Sequence, residues 1–195
     1  MAGEPPIKYA MGFFDGQNLY RHAKSAFGHT HPNYDPKKMH AAVCAANGWV
    51  PNAVRFYTGV PLQRHDPMWT AYWANRILAM KRAGIVTTTR HLRYHQEKIE
   101  VDGTISTVLT AHEKGIDVRQ ALDVVSCALN EQYKFAVIYS QDQDLCEVVE
   151  DVKKIAKKTS RQIELTCAFP DGPNASFRRG IDGTKWFKMD EAFYN

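Results

Sequence analysis

The residues most suggestive of chemistry are aspartates that end apolar runs. Tyr9-Ala10-Met11-Gly12-Phe13-Phe14 leads into Asp15-Gly16, and Phe135-Ala136-Val137-Ile138-Tyr139 leads through Ser140-Gln141 to Asp142 and Asp144. Asp117 follows Glu113-Lys114-Gly115-Ile116, where a β-rich stretch hands over to a helix. Carboxylates that converge on one edge repel one another unless a cation neutralises them or one takes up a proton. A hard divalent ion prefers oxygen ligands, and Mg2+ keeps several waters while using few protein carboxylates. Such an ion activates water and stabilises the leaving oxygen of a phosphodiester, so these residue types suit phosphodiester hydrolysis.

Each acid also has a structural reading. Asp15-Gly16 is compatible with a strand-ending turn. Asp144 followed by Glu147 resembles a capping box, and Asp117 is a favourable charge at a helix start. Taken singly these readings are the stronger ones, whereas three acid clusters on one sheet edge are harder to explain structurally. Spacing alone leaves the two accounts level.

The surrounding pattern alternates strands with helices. Apolar runs at 9–14, 53–57, 85–89, 135–139 and 163–168 read as strands. Helices are expected at 19–26, 37–46, 69–82 and 116–130, and again after Asp144. In the 116–130 helix, Val118, Leu122, Val125 and Leu129 form one apolar stripe. In the last helix Leu145, Val148, Val152 and Ile155 share a face, and four lysines lie near its end. Between 92 and 110, two alternating runs flank Asp102-Gly103, which predicts an inserted β-hairpin. Strands apolar on both faces predict a mainly parallel sheet covered by helices, with ligands beyond the strands' carboxyl ends.

Three blocks carry a resemblance. Phe14-Asp15-Gly16-Gln17-Asn18-Leu19-Tyr20, Lys114-Gly115-Ile116-Asp117-Val118 with Leu122-Asp123, and Ser140-Gln141-Asp142-Gln143-Asp144-Leu145 resemble the signature blocks of the NYN domain. That family is similar to PIN-domain nucleases and includes the LabA-like proteins of bacteria. The resemblance implies a three-layer α/β/α sandwich and a metal-dependent ribonuclease using Mg2+ or Mn2+. It implies a single domain over residues 1–195, with its core at about 8–169 and a C-terminal extension at 170–195. By position, Asp15, Asp117, Asp142 and Asp144 would bind the metal, and Asn18 would orient an acid or a metal-bound water. Gln141 and Leu145 stand where the family usually has glycine and an aromatic residue, which puts the shape of the loop before Asp142 in question. Asp123 matches a family acid but is six residues beyond Asp117, and an ion pair with Arg119 explains it equally well.

A nuclease also needs cations to grip phosphates. Arg21 and Lys24 on the first helix, Lys114, and Ser176, Arg178 and Arg179 in the 172–183 loop are the candidates. The arm carries Arg90, Arg93, Tyr94, His95 and Lys98, a mixture that suits either stacking on an unpaired base or a solvated hairpin with one packed aromatic. His22, His29, His31 and His40 are expected at the surface or partly packed.

The 195 residues suffice for one domain with its own core, and 44% hydrophobic and 24% charged residues are ordinary for one. A formal charge of +4 permits an anionic partner without demanding it. No apolar run reaches membrane-spanning length, and residues 1–6 carry no secretory signal. Four scattered cysteines argue against a zinc knuckle or a disulfide framework and suit a reducing cytoplasm. No Gly-x-Ser-x-Gly elbow or GxxxxGK[ST] loop is present. Trp186, Phe187, Phe193 and Tyr194 either pack on the sheet or offer a face to a second copy in a homodimer. The leading expectation is an endoribonuclease. A catalytically weak RNA-binding regulatory module comes second, and a metal-dependent phosphatase third.

Overall fold

The computed structural model describes residues 8–101 and 104–195, so the readings made on residues 1–6 and on the Asp102-Gly103 turn lie outside the described residues. In chain order the elements are β1 (Tyr9–Asp15), α1 (Gly16–Phe27), α2 (Pro36–Asn47), β2 (Val50–Val60), α3 (Pro67–Arg82) and β3 (Val86–His91). There follow β4 (Arg93–Val101), β5 (Thr104–His112), α4 (Ile116–Leu129), β6 (Phe135–Tyr139), a 3-10 turn at Gln143–Leu145 and α5 (Cys146–Lys158). The chain then forms β7 (Glu164–Pro170), β8 (Lys185–Met189) and the short α6 (Glu191–Tyr194).

β1 sits mid-sheet because both its faces are apolar. Ala10 and Phe14 enter one core while Met11 and Phe13 enter the other. Phe135, Val137 and Tyr139 of β6 divide from Ala136 and Ile138 in the same way. The two cores lie on opposite faces of the sheet. One is completed by α1, α2, α3 and α6 through Leu19, Val43, Trp73 and Tyr194, the other by α4 and α5 through Val124, Cys127, Val149 and Val152. The fold is therefore a three-layer α/β/α sandwich, as expected.

The sheet order is β3-β2-β1-β6-β7-β8 and all five pairings are parallel. The chain winds outward from β1 to β3, then returns to the centre and winds the other way from β6. The topological switch point lies between β1 and β6, where crossovers diverge to opposite faces and leave a crevice beyond the strand ends. Asp15 ends β1, and Asp142 follows β6 by three residues. β4 and β5 form the expected hairpin as a separate two-stranded sheet, with Arg93 opposite His112 at its base.

Local chemistry starts the helices where the sequence changes character. Asp35 and Asp66 each cap a helix that opens with proline, accepting backbone N–H groups of Lys37 and Trp69 respectively. The carboxylate satisfies an otherwise orphaned donor, and proline has no N–H to lose there.

Three features differ from expectation. The stripe on α4 faces solvent, with Val118, Leu122 and Leu129 more than half exposed. The buried side is instead Ile116, Gln120, Asp123, Val124, Cys127 and Ala128. Residues 185–189 form a sixth strand of the central sheet, Lys185-Trp186-Phe187-Lys188-Met189, whose mostly exposed residues are those of a sheet edge. Of the C-terminal aromatics, Phe187 and Phe193 lie against the first core and Tyr194 is buried in it, in keeping with the packing alternative, while Trp186 is exposed. His40 is fully buried rather than superficial, bonded to the Tyr139 hydroxyl at 3.1 Å and the Ala10 carbonyl at 3.0 Å.

Candidate active site

Asp15 leaves β1 in an extended conformation and caps α1, its Oδ1 accepting the Asn18 N–H at 2.9 Å. Ser140 at the end of β6 donates to its other oxygen at a long 3.5 Å. Asp142 caps the 3-10 turn, its Oδ1 accepting the Asp144 N–H at 3.1 Å. The structural roles suggested for these acids are thus partly real, but one capping bond leaves a carboxylate with further lone pairs to offer. Asn18 joins the two loops, because its side-chain oxygen accepts the Gln141 N–H at 2.8 Å.

The opposite wall comes from the link between the hairpin and α4. Gly115, at φ 74°, turns the chain into α4 and sets Asp117 in the first helical turn. A side chain there would be strained, and its Cβ would stand 2.6 Å from the Arg90 guanidinium. Glu113, just past β5, accepts the Gly59 N–H at 2.6 Å. Gly59 is pressed from several sides: a Cβ would lie 2.4 Å from Leu92 and 2.7 Å from the Glu113 carboxylate.

Asp15, Glu113, Asp117 and Asp142 line one cleft of about 140 Å³, together with Gln17, Asn18 and Arg21. Two of the four carboxyls, Asp15 and Glu113, are raised above their ordinary range. Burial, reinforced by the Asp142 charge, pushes Asp15 up to about 6 against the pull of the Asn18 hydrogen bond and Arg21. Burial also pushes Glu113 up to about 7, with the Asp15 and Asp117 charges adding to it and the Gly59 hydrogen bond and Arg21 opposing it. Glu113 was not among the expected site residues, although the rule that found Asp15 and Asp142, an acid at or soon after a strand end, applies to it.

Among the described residues, no three His, Cys, Asp or Glu side chains form a ready-made ion cage. The donor set nonetheless fits a hard cation. Four carboxylates face one polar space with one cation among them, and Mg2+ needs few direct carboxylates because waters complete its shell. At about 30 Å³ per water, the cleft has room for an ion with part of its hydration.

The other expected residues are spread more widely. Asp144 is exposed and does not line the cleft. Asp123 is buried against the Tyr57 hydroxyl at 2.8 Å, Arg55 at 3.3 Å and Arg119. Burial raises its carboxyl, but the Arg119 and Tyr57 hydrogen bonds and the Arg55 charge outweigh it and hold the group below the usual range. Its place is in a structural ion network. Arg21 lines the cleft, Lys24 lines a neighbouring cavity, and Lys114 is exposed outside both.

The 172–183 loop is pinned rather than open. Ser176 bonds to the Ser25 hydroxyl at 2.9 Å, Arg178 donates to the Gly172 carbonyl at 2.9 Å, and Arg179 pairs with Asp182. Gln141 ties the loop to its neighbour, as its amide donates to the carbonyls of Phe177 at 3.2 Å and Arg179 at 2.9 Å. Gln143 adds a bond to Gly180 at 2.9 Å. Leu145 is buried in the second core. On the hairpin, Tyr94 is the packed aromatic, its hydroxyl accepting the Leu62 N–H at 3.2 Å, while Arg93, His95 and Lys98 are exposed; Arg90, expected on the arm, is an exposed residue of β3 in the central sheet. Among the described residues the cysteines are free and no helix is long and apolar enough to cross a membrane.

The chain is similar in fold to the crystal structure of a protein of unknown function from Vibrio parahaemolyticus, with a TM-score of 0.58, 20% identity and full coverage of both chains. No protein-family model and no curated protein matches it.

Proposed function

We propose that this chain is a metal-dependent nuclease of the NYN type, an endoribonuclease that hydrolyses RNA phosphodiester bonds in the cleft at the switch point. The observation that carries the reading is the meeting of four carboxylates, from three separate parts of the chain, at the sheet edge where this topology binds ligands. Asp15 and Asp142 would hold Mg2+ or Mn2+ from the strand side, with Asp117 and Glu113 facing them. Asp144, exposed outside the cleft, is left out of the ligand set. A bound divalent ion supplies charge neutralisation and a more acidic water. Arg21, on the cleft lining, would meet a phosphate oxygen, and Glu113 would accept a proton from the attacking water. Asn18 keeps the Asp15 and Asp142 loops in register through its bond to Gln141.

The preference for RNA over DNA rests on the family resemblance, and the free cysteines suit a cytoplasmic location. The exposure of Asp144 favours a second reading, an RNA-binding module with little turnover. Labelled single-stranded RNA and DNA of one sequence, incubated with Mn2+ or with EDTA, separate the two. The nuclease reading expects RNA cleavage with Mn2+ that stops in EDTA. RNA bound but left whole under both conditions would leave the second reading standing.

A further inference from the structure

Beside the acidic cleft lies a larger cavity of about 700 Å³. Gln17 and Arg21, one turn apart on α1, line both spaces, so the two share a wall. Tyr20 from α1, Trp69 from α3 and Tyr94 from β4 give the cavity three aromatic walls from distant parts of the chain. His65 adds a fourth ring, 4.1 Å from Tyr94 between centroids, and Trp73 of the first core lines the cavity as a fifth. Lys24 joins Arg21 as a second cation on the lining. Tyr20, Trp69 and Tyr94 are only partly buried and His65 is exposed, so these rings are not simply core.

Aromatic faces stack on bases whatever their sequence, and neighbouring cations hold the attached phosphates. The Tyr94 hydroxyl accepts the Leu62 N–H, which leaves its own hydrogen to donate to a base edge. We infer that this cavity takes an unpaired base of single-stranded nucleic acid whose neighbouring phosphate lies over the acidic cleft; what occupies the cleft rests on the nuclease reading above. The volume admits purines and pyrimidines alike, so the cavity selects unpaired over paired bases rather than one base over another. A base inside a duplex cannot enter without leaving its stack. The arm, through Tyr94, Leu109 and Ala111, forms one side of this binding space.

The test is binding in EDTA, where no turnover occurs. A labelled single-stranded octanucleotide is compared with a fully abasic sugar–phosphate octamer of equal charge, using the wild type, Trp69→Leu and Tyr94→Leu. The octanucleotide should bind roughly 5- to 150-fold more tightly than the abasic chain to the wild type. That advantage should shrink in both variants, and Tyr94 stands on the hairpin outside both cores, so its replacement leaves the cores intact. Equal binding of the two ligands by the wild type, or an undiminished advantage in the folded variants, would overturn the inference. Base-dependent binding without any Mn2+-dependent cleavage would instead refute the nuclease reading alone.

Discussion

The side-chain oxygen of Asn18 accepts the backbone N–H of Gln141 at 2.8 Å, across the switch point of the sheet. Asn18 lies in the first turn of α1, three residues after Asp15, and Gln141 directly precedes Asp142. One hydrogen bond thus sets the spacing of two acids that come from strands far apart in the chain. Replacing Asn18 by alanine leaves a part-buried N–H without its acceptor, at a cost of about 1–3 kcal/mol. Urea unfolding should register that loss, and Mn2+ titration of the folded variant should show weaker binding. Unchanged Mn2+ affinity would mean that the bond serves stability only.

The raised carboxyls of Asp15 and Glu113 make stability depend on pH in a defined direction. A group whose pKa is higher in the folded state binds its proton more tightly there. Its contribution is complete below the unfolded pKa and is lost as pH rises through the folded one. For Glu113 that window runs from 4.5 to about 7, and for Asp15 from 3.8 to about 6. In EDTA, Glu113→Gln should therefore match the wild type near pH 4 and exceed it by on the order of 3 kcal/mol at pH 8. Thermal melts at the two pH values measure this. An equal difference at both would show that the Glu113 charge is not strained by its neighbours.

Gln141 holds the loop that crosses beside the site. Its amide bonds to Phe177 and Arg179 would be lost in Gln141→Gly, along with the restriction that a side chain places on the backbone. Trypsin should then cut after Arg178 or Arg179 faster than in the wild type. A cleavage rate equal to that of the wild type would assign the loop's anchoring to Gln143 and Ser176 instead.

Strands buried on both faces were the readable part of the fold. β1 and β6 are nearly pure apolar runs, so their ends, and with them Asp15 and Asp142, could be placed from pattern alone. β8 could not, because an edge strand such as Lys185–Met189 needs only one buried face and carries two lysines. α4 misled because it is apolar on two sides, and periodicity does not say which side meets the sheet. Asp142 and Asp144 look equivalent in sequence; the 3-10 turn separates them by placing the Asp144 N–H on the Asp142 carboxylate. Glu113 escaped notice because its strand belongs to the hairpin rather than to the central sheet, and only the fold brings it to Gly59. The aromatic cavity joins residues 20, 69 and 94, whose meeting no local pattern announces.

The most direct test uses this separation of neighbouring acids. Single-turnover cleavage of one single-stranded RNA is measured at saturating Mn2+ for the wild type, Asp142→Asn and Asp144→Asn. An acid that supports charge stabilisation in the transition state should cost roughly 100-fold or more when neutralised. Asp142→Asn should fall by that much, whereas Asp144→Asn, altered outside the cleft, should stay within a few-fold of the wild type. Equal rates for Asp142→Asn and the wild type would contradict the assignment of the cleft as the catalytic centre.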